Sequence, residues 1–158
     1  MPRISRLGLL CLVFATLLLT STVSLAKKPD EPAVAPIPIQ ITTARKVFIS
    51  YGIGDADPGA PNLTYNEFYA LMKGWGKFEL MRAPADADLI FEIRFVSGIS
   101  DAQLLLTIVD PKTHVVLWPF VQHVEHSSRE SGRRKKFDEA MDDLIGDLKK
   151  LTSQAPAQ

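Results

Sequence analysis

The chain has almost no cysteine: Cys11 is the only one in 158 residues. One thiol cannot make an internal disulfide, so a bridged scaffold is excluded and stability must come from buried apolar surface. Charge of a single sign is missing as well, with 18 Lys and Arg against 18 Asp and Glu. That balance removes any global electrostatic reason to expect nucleic acid. The apolar run from Leu7 to Leu19 falls short of the roughly 20 residues a helix needs to cross a bilayer.

What that run does resemble in pattern is an export leader. Arg3 and Arg6 precede it, and Ser24 and Ala26 supply the small residues that signal peptidase requires, which predicts cleavage after Ala26. Cys11 follows Leu10 inside the run rather than closing it, so the chain is read as exported without a lipid anchor. Taking 26 residues from 158 leaves 132, and the loss of Arg3 and Arg6 takes the cations from 18 to 16 against 18 carboxylates. The mature chain then has no thiol, which excludes a thiol enzyme, and its destination is periplasmic or secreted. Residues 27–40 begin with KKPDEPAVAPIP, whose four prolines suit an extended linker. A single domain is expected over 41–152 and a disordered tail over 153–158.

The organising stretch is Ala85 to Glu125. Leu89, Phe91, Ile93 and Phe95 alternate with Ile90, Glu92, Arg94 and Val96, the period of a strand with one buried face. Gln103 to Val109 is apolar on both faces, as a central strand can be. Between these two the loop Ser97–Asp101 predicts a hairpin. Asp110-Pro111-Lys112-Thr113 reads as a turn, because Asp accepts locally and Pro presets φ. The return strand, His114 to Glu125, contains Pro119, which makes it an edge strand or one bulged at that point.

Earlier in the chain, Ile41 to Tyr51 predicts a first strand, with Val47, Ile49 and Tyr51 on one face. Thr64 and Glu67 have the spacing of a capping box, with Leu63 and Phe68 as its staple. Tyr65, Phe68, Leu71, Met72 and Trp75 then form a core stripe, and Gly76 a left-handed stop. Lys77 to Arg82 predicts a short strand, parallel to the first because a helix connects them. A last helix carries Phe137, Met141, Leu144, Leu148 and Leu151 on one stripe, preceded by the basic run Arg133-Arg134-Lys135-Lys136. Arg134 with Asp138 and Lys135 with Glu139 have i,i+4 spacing. The fold class predicted is α+β, a two-layer sandwich of a mixed five-stranded sheet with two helices on one face.

Sites of chemistry are sparse. Gly52-Ile53-Gly54 follows a strand, but the third glycine position of a dinucleotide loop is Asp57 and no helix starts there. Asp55 and Asp57 open like a calcium loop, yet Gly59 and Asn66 stand where ligands belong. His123 and His126 point to opposite faces of a strand, and Asp86 and Asp88 sit in a turn. The reading is therefore not an enzyme, with no catalytic, metal or cofactor residues. A small-molecule site in the 52–62 loop is the alternative, and a hydrolase the least favoured.

Binding surface is more legible. Two helices cover only one face of such a sheet, so Leu105 and Val109 point away, with either Val115, Leu117 and Val121 or Val116, Trp118 and Phe120 beside them. Leu105, Val109, Trp118 and Phe120 are taken as candidate contacts for a protein or envelope-component partner, a second copy of the chain included. The edge marked by Pro119 could add a partner's strand. Arg133, Arg134, Lys135 and Lys136 are candidate contacts for an anionic membrane surface. The order helix, short strand, Ala87-Asp88-Leu89 strand, Leu-rich strand, Asp110-to-Thr113 turn, Val115-Val116-Leu117-Trp118 and terminal helix resembles a group of small uncharacterised exported bacterial envelope proteins, domains of unknown function. More distantly it is similar to the α/β domains of the curli-secretion lipoprotein and the amino-terminal domain of TolB. The resemblance spans residues 44–151 and implies a binding or assembly role without catalysis.

Overall fold

The computed structural model describes residues 35–52, 62–97 and 101–154. The predicted leader (1–26), most of the linker, the interior of the 52–62 loop, the 98–100 hairpin tip and the last four residues of the tail lie outside the described residues. The elements run α1 (Ile39–Thr43), β1 (Lys46–Tyr51), α2 (Leu63–Trp75), β2 (Glu79–Leu80), a 3-10 turn (Pro84–Asp86), β3 (Leu89–Ser97), β4 (Ala102–Val109), β5 (Val116–Val124) and α3 (Glu130–Ser153). They form a mixed five-stranded sheet of order β2-β1-β3-β4-β5. β1 is parallel to both β2 and β3, and β3-β4-β5 is an antiparallel meander.

One core holds the two layers together. On the sheet side it takes Val47 and Ile49 of β1, Leu89, Phe91, Ile93 and Phe95 of β3, and Leu104, Leu106 and Ile108 of β4. On the helix side stand Ile41, Phe68, Met72 and the α3 stripe of Phe137, Met141, Leu144, Leu148 and Leu151. Every one of these side chains is buried, and a fully buried Leu, Ile or Phe contributes about 1.5–3 kcal/mol. All three helices therefore lie on one face. The alternation in β3 translates directly into alternating burial.

Several boundaries differ from the sequence reading. The strand predicted from Ile41 starts at Lys46, because Thr42 and Thr43 both donate their hydroxyls to the Ile39 carbonyl at 3.0 Å and close a helical turn. That turn puts Ile41 at 0% exposure. The cap of α2 is Asn62 at φ 60°, not Thr64; asparagine tolerates the left-handed region, and its carbonyl accepts the Asn66 N–H at 2.9 Å. Thr64 is buried instead, and Glu67 pairs with Arg134 across the helices. Gly76 ends α2 at φ 68°, donating to the Met72 carbonyl, as its position predicts. The Lys77–Arg82 strand shrinks to Glu79–Leu80, whose only ladder is with β1. Finally, α3 starts at Glu130, so the four cations lie inside its second turn rather than ahead of it.

Candidate docking face

Cross-strand register settles which side chains point away from the helices. Ile90 pairs with Phe48 and Val109, Glu92 with Ser50 and Thr107, and Arg94 with Leu105. Thr107 in turn pairs with Pro119, and Leu105 with Val121. The uncovered face thus reads as rows across the strands: Phe48, Ile90, Val109 and Val116, then Ser50, Glu92, Thr107 and Pro119, then Arg94, Leu105 and Val121. Leu105 and Val109 are half-buried on it, as predicted from their parity. At its β5 rim Val116 is 54% and Val121 48% exposed, and Pro119 sits on that edge strand, where a missing N–H costs no interior ladder bond.

Trp118 and Phe120 are not part of this face. They pair with Ile108 and Leu106, whose side chains enter the core, and they pack half-buried against that core beneath α3. Their register, unbroken from Ala102 opposite Val124 to Ile108 opposite Trp118, puts them there. Past it lies a bulge: Val109 pairs with Val116 while Ile108 pairs with Trp118, so Leu117 is an extra residue and Val116 falls on the uncovered face. Gln122, on the same side, donates to Asp147 of α3 at 2.8 Å and fixes the helix over β5.

The middle of the face is polar and incompletely paired. Among the described residues Arg94 Nε is buried and has no hydrogen-bond partner. Glu92, two residues earlier, leans the other way: a Cβ at Gly52 would lie 2.7 Å from Glu92 Oε1, so the carboxylate occupies the space the glycine leaves. The Gly52 N–H donates to the Ile93 carbonyl at 2.9 Å and carries the β1–β3 ladder to that point.

With this geometry in hand, the chain can be set beside known proteins. No family model matches it, and no curated protein does. Among solved structures it is similar to a neuraminyllactose-binding hemagglutinin homolog from Helicobacter pylori, at 13% identity and a TM-score of 0.45, over 78% of this chain and 92% of that one. The LpoB C-terminal domain from Salmonella enterica gives 8% identity and a TM-score of 0.40, over 61% and 88%. LpoB from E. coli gives 10% and 0.38, over 66% and 77%. These likenesses are distant, and what the surface of this chain binds has to be read from its own residues.

Three residues of the basic run are paired with carboxylates where they stand. Arg134 pairs with Glu67 and with Asp138, the latter at 2.8 Å. Lys135 reaches Glu139 at 3.6 Å, and Lys136 contacts Glu125 at 2.6 Å and Glu139 at 3.0 Å. Glu125, ahead of Glu139, raises the Lys136 amine above its ordinary value. Arg133 donates to the Ser128 carbonyl. Three of the four cations thus face Glu67, Glu125, Asp138 and Glu139, while Arg133 faces a carbonyl. Exposed pairs of this kind are worth little in stability.

Surface cavities among the described residues include two of about 290 Å³ each. One lies between α2 and α3 and is lined by Glu67, Leu71, Arg134, Asp138, Met141 and Asp142. The other sits at the end of the sheet, beside Arg45, Asp88, Asp110 and Lys112. The second contains two of the three carboxylates with depressed pKa values, and both are committed to backbone; the third, Glu139, is held down by the Lys136 amine. Asp88 Oδ2 accepts the Arg45 and Lys46 N–H groups, each at 2.9 Å, and these bonds, Arg45 first, hold the carboxyl below its usual 3.8. Asp110 accepts from the Lys112 and Thr113 N–H groups and closes the β4–β5 turn. Among the described residues no three of His, Cys, Asp and Glu are placed to hold a metal ion. The alternative site in the 52–62 loop falls on residues that are not described.

A structural role for Asp88 has a pH signature. Its folded pKa is lowered, so its contribution is complete above the unfolded pKa near 4 and is lost as pH falls through the folded value. Asp88→Ala is expected to lower the unfolding free energy by about 1 kcal/mol at neutral pH, a modest figure because the side chain is exposed. Thermal melts of both proteins should converge as pH drops below about 4; a gap that persists at pH 2.5 would contradict the capping role.

Proposed function

We propose that the chain is exported and acts as a non-catalytic binding or assembly module of the cell envelope or periplasm. It docks a macromolecular partner on the uncovered sheet face. The observation that carries this reading is the one-sided architecture: three helices share one face, while Phe48, Ile90, Leu105, Val109, Val116 and Val121 form an apolar field on the other. Apolar patches of that kind on a small domain mark interaction surfaces. The leader-like start, with cleavage predicted after Ala26, and the resemblance to exported envelope domains support the compartment. Of the depressed carboxylates, Asp88 and Asp110 are tied to backbone N–H groups and Glu139 to Lys136, which argues against acid-base chemistry.

The test is photocrosslinking in the native cell, with a photoreactive residue at Val121 or Leu105 and a control at Tyr69 on the helix side. Adducts from positions 121 and 105, absent from 69, are the expected result. Adducts from 69 alone, or from no position, contradict the docking face. Amino-terminal sequencing of the fractionated protein should begin at Lys27; an intact Met1 in the cytoplasmic fraction contradicts export.

A further inference from the structure

We infer that the occupant of the uncovered face is the same face of a second copy of this chain, with Arg94 of each copy set over Glu92 of the partner subunit. This rests on the docking reading and names the partner. Away from the Lys46 and Glu79 corner, Glu92 and Arg94 are the formally charged strand residues that the register places on this face. They lie two apart on one strand, about 7 Å, yet they do not pair. Among the described residues Arg94 Nε is buried without an acceptor, and Glu92 rests over Gly52. Arg94 as a whole is half-buried, so an arriving carboxylate would meet its guanidinium at the outer amino groups, where a charge-assisted bond forms.

A partner carrying one sign of charge would answer only one of these groups. A second copy answers both. A two-fold axis lying between two stacked sheets and crossing β3 over Ile93 exchanges positions 92 and 94, so each cation meets a carboxylate and the contact is self-complementary. The same operation sets Leu105 over Thr107 of the partner subunit and Val121 over Pro119 of the partner subunit, which keeps the surround apolar. Sheets stack in this way about 10 Å apart with strands nearly aligned. Five strands at about 4.8 Å, each about 27 Å long at its fullest, give a face on the order of 600 Å², near the ~800 Å² per partner of a standard interface.

The test is sedimentation velocity on the full chain as exported, from about 1 to 500 µM, a range that brackets a micromolar Kd. Wild type is expected to self-associate to a dimer. Arg94→Glu or Glu92→Arg alone sets like charges together across the axis and should weaken association at least about thirtyfold. The double variant Glu92→Arg with Arg94→Glu restores opposite charges and should return to within about threefold of wild type. Circular dichroism checks the fold of each, and Arg94→Gln, neutral and similar in length, should weaken association about tenfold should the charge swaps prove unstable. A monomer at 500 µM, single swaps without effect, or a double variant as weak as the singles overturns the pairing. Crosslinking separates this failure from that of the docking face. A heterologous adduct from Val121 on a monomeric protein sinks the dimer and keeps the face, whereas a monomer with no adduct sinks both.

Discussion

Leu106→Ala is expected to lower the unfolding free energy by about 2–5 kcal/mol, and its neighbour Leu105→Ala by less than about 1.5 kcal/mol. The two leucines are adjacent on β4, and they differ in what they face. Leu106 is at 0% exposure within the core, opposite Ile93 and Phe120. Truncating it leaves a cavity as well as losing apolar burial. Leu105 pairs with Arg94 and Val121 on the uncovered face, where solvent can fill what the side chain vacates. Urea unfolding at low protein concentration measures both, with the denaturant slope unchanged if only stability moves. Were a second layer to cover that face, the two costs would approach each other. Equal losses would therefore refute the one-sided architecture on which the docking face depends. Repeating the Leu105→Ala measurement at high concentration adds a further distinction, since association stabilises the folded state by mass action.

How far the sequence carried this architecture depends on whether the deciding contact is local. Alternation in β3 is a property of consecutive residues, and Leu89, Phe91, Ile93 and Phe95 are all buried as it predicts. The Asp110 turn and the Gly76 stop are equally local, closed by bonds within five residues. The i,i+4 pairs of α3 form as spaced. What the sequence could not carry was set by partners far along the chain. Glu67 has capping-box spacing, yet Arg134, 67 residues on, takes its carboxylate. Arg134 and Lys136 of the basic run pair with Glu67 and Glu125 as well as within their own helix. The face of Trp118 is decided by its pairing with Ile108, and that of Val116 by the bulge at Leu117, one extra residue that breaks the period of two. Arg94 is the most instructive case. Alternation assigns it correctly to the outer face of β3, but only the register across Gly52 and Leu105 reveals a buried Nε without an acceptor among the described residues.

The other face of that strand supplies the largest single loss. Phe91→Ala is expected to cost about 3–5 kcal/mol, a fifth or more of the roughly 5–15 kcal/mol typical of a domain. Phe91 is at 0% exposure and pairs across the sheet with Ile49 on one side and Ile108 on the other. Its ring meets Phe78 edge-on at 5.6 Å, and Phe78 meets Trp75 edge-on at 5.4 Å. The chain of rings therefore links the end of α2, the approach to β2 and the centre of the sheet. Edge-to-face pairs contribute about 0.5–1.5 kcal/mol beyond the area they bury. A double-mutant cycle with Phe78→Leu and Phe91→Leu should accordingly return a coupling energy in that range, because leucine keeps most of the volume and removes the ring geometry. A Phe91→Ala cost below about 2 kcal/mol would mean the site collapses easily and the helix layer is loosely held. Zero coupling with a full truncation cost would instead leave burial alone, without ring geometry, fastening α2 to β3. Either outcome bears on the opposite surface, since Phe91 lies next to Glu92 in the strand and its packing fixes the backbone from which Glu92 and Arg94 project.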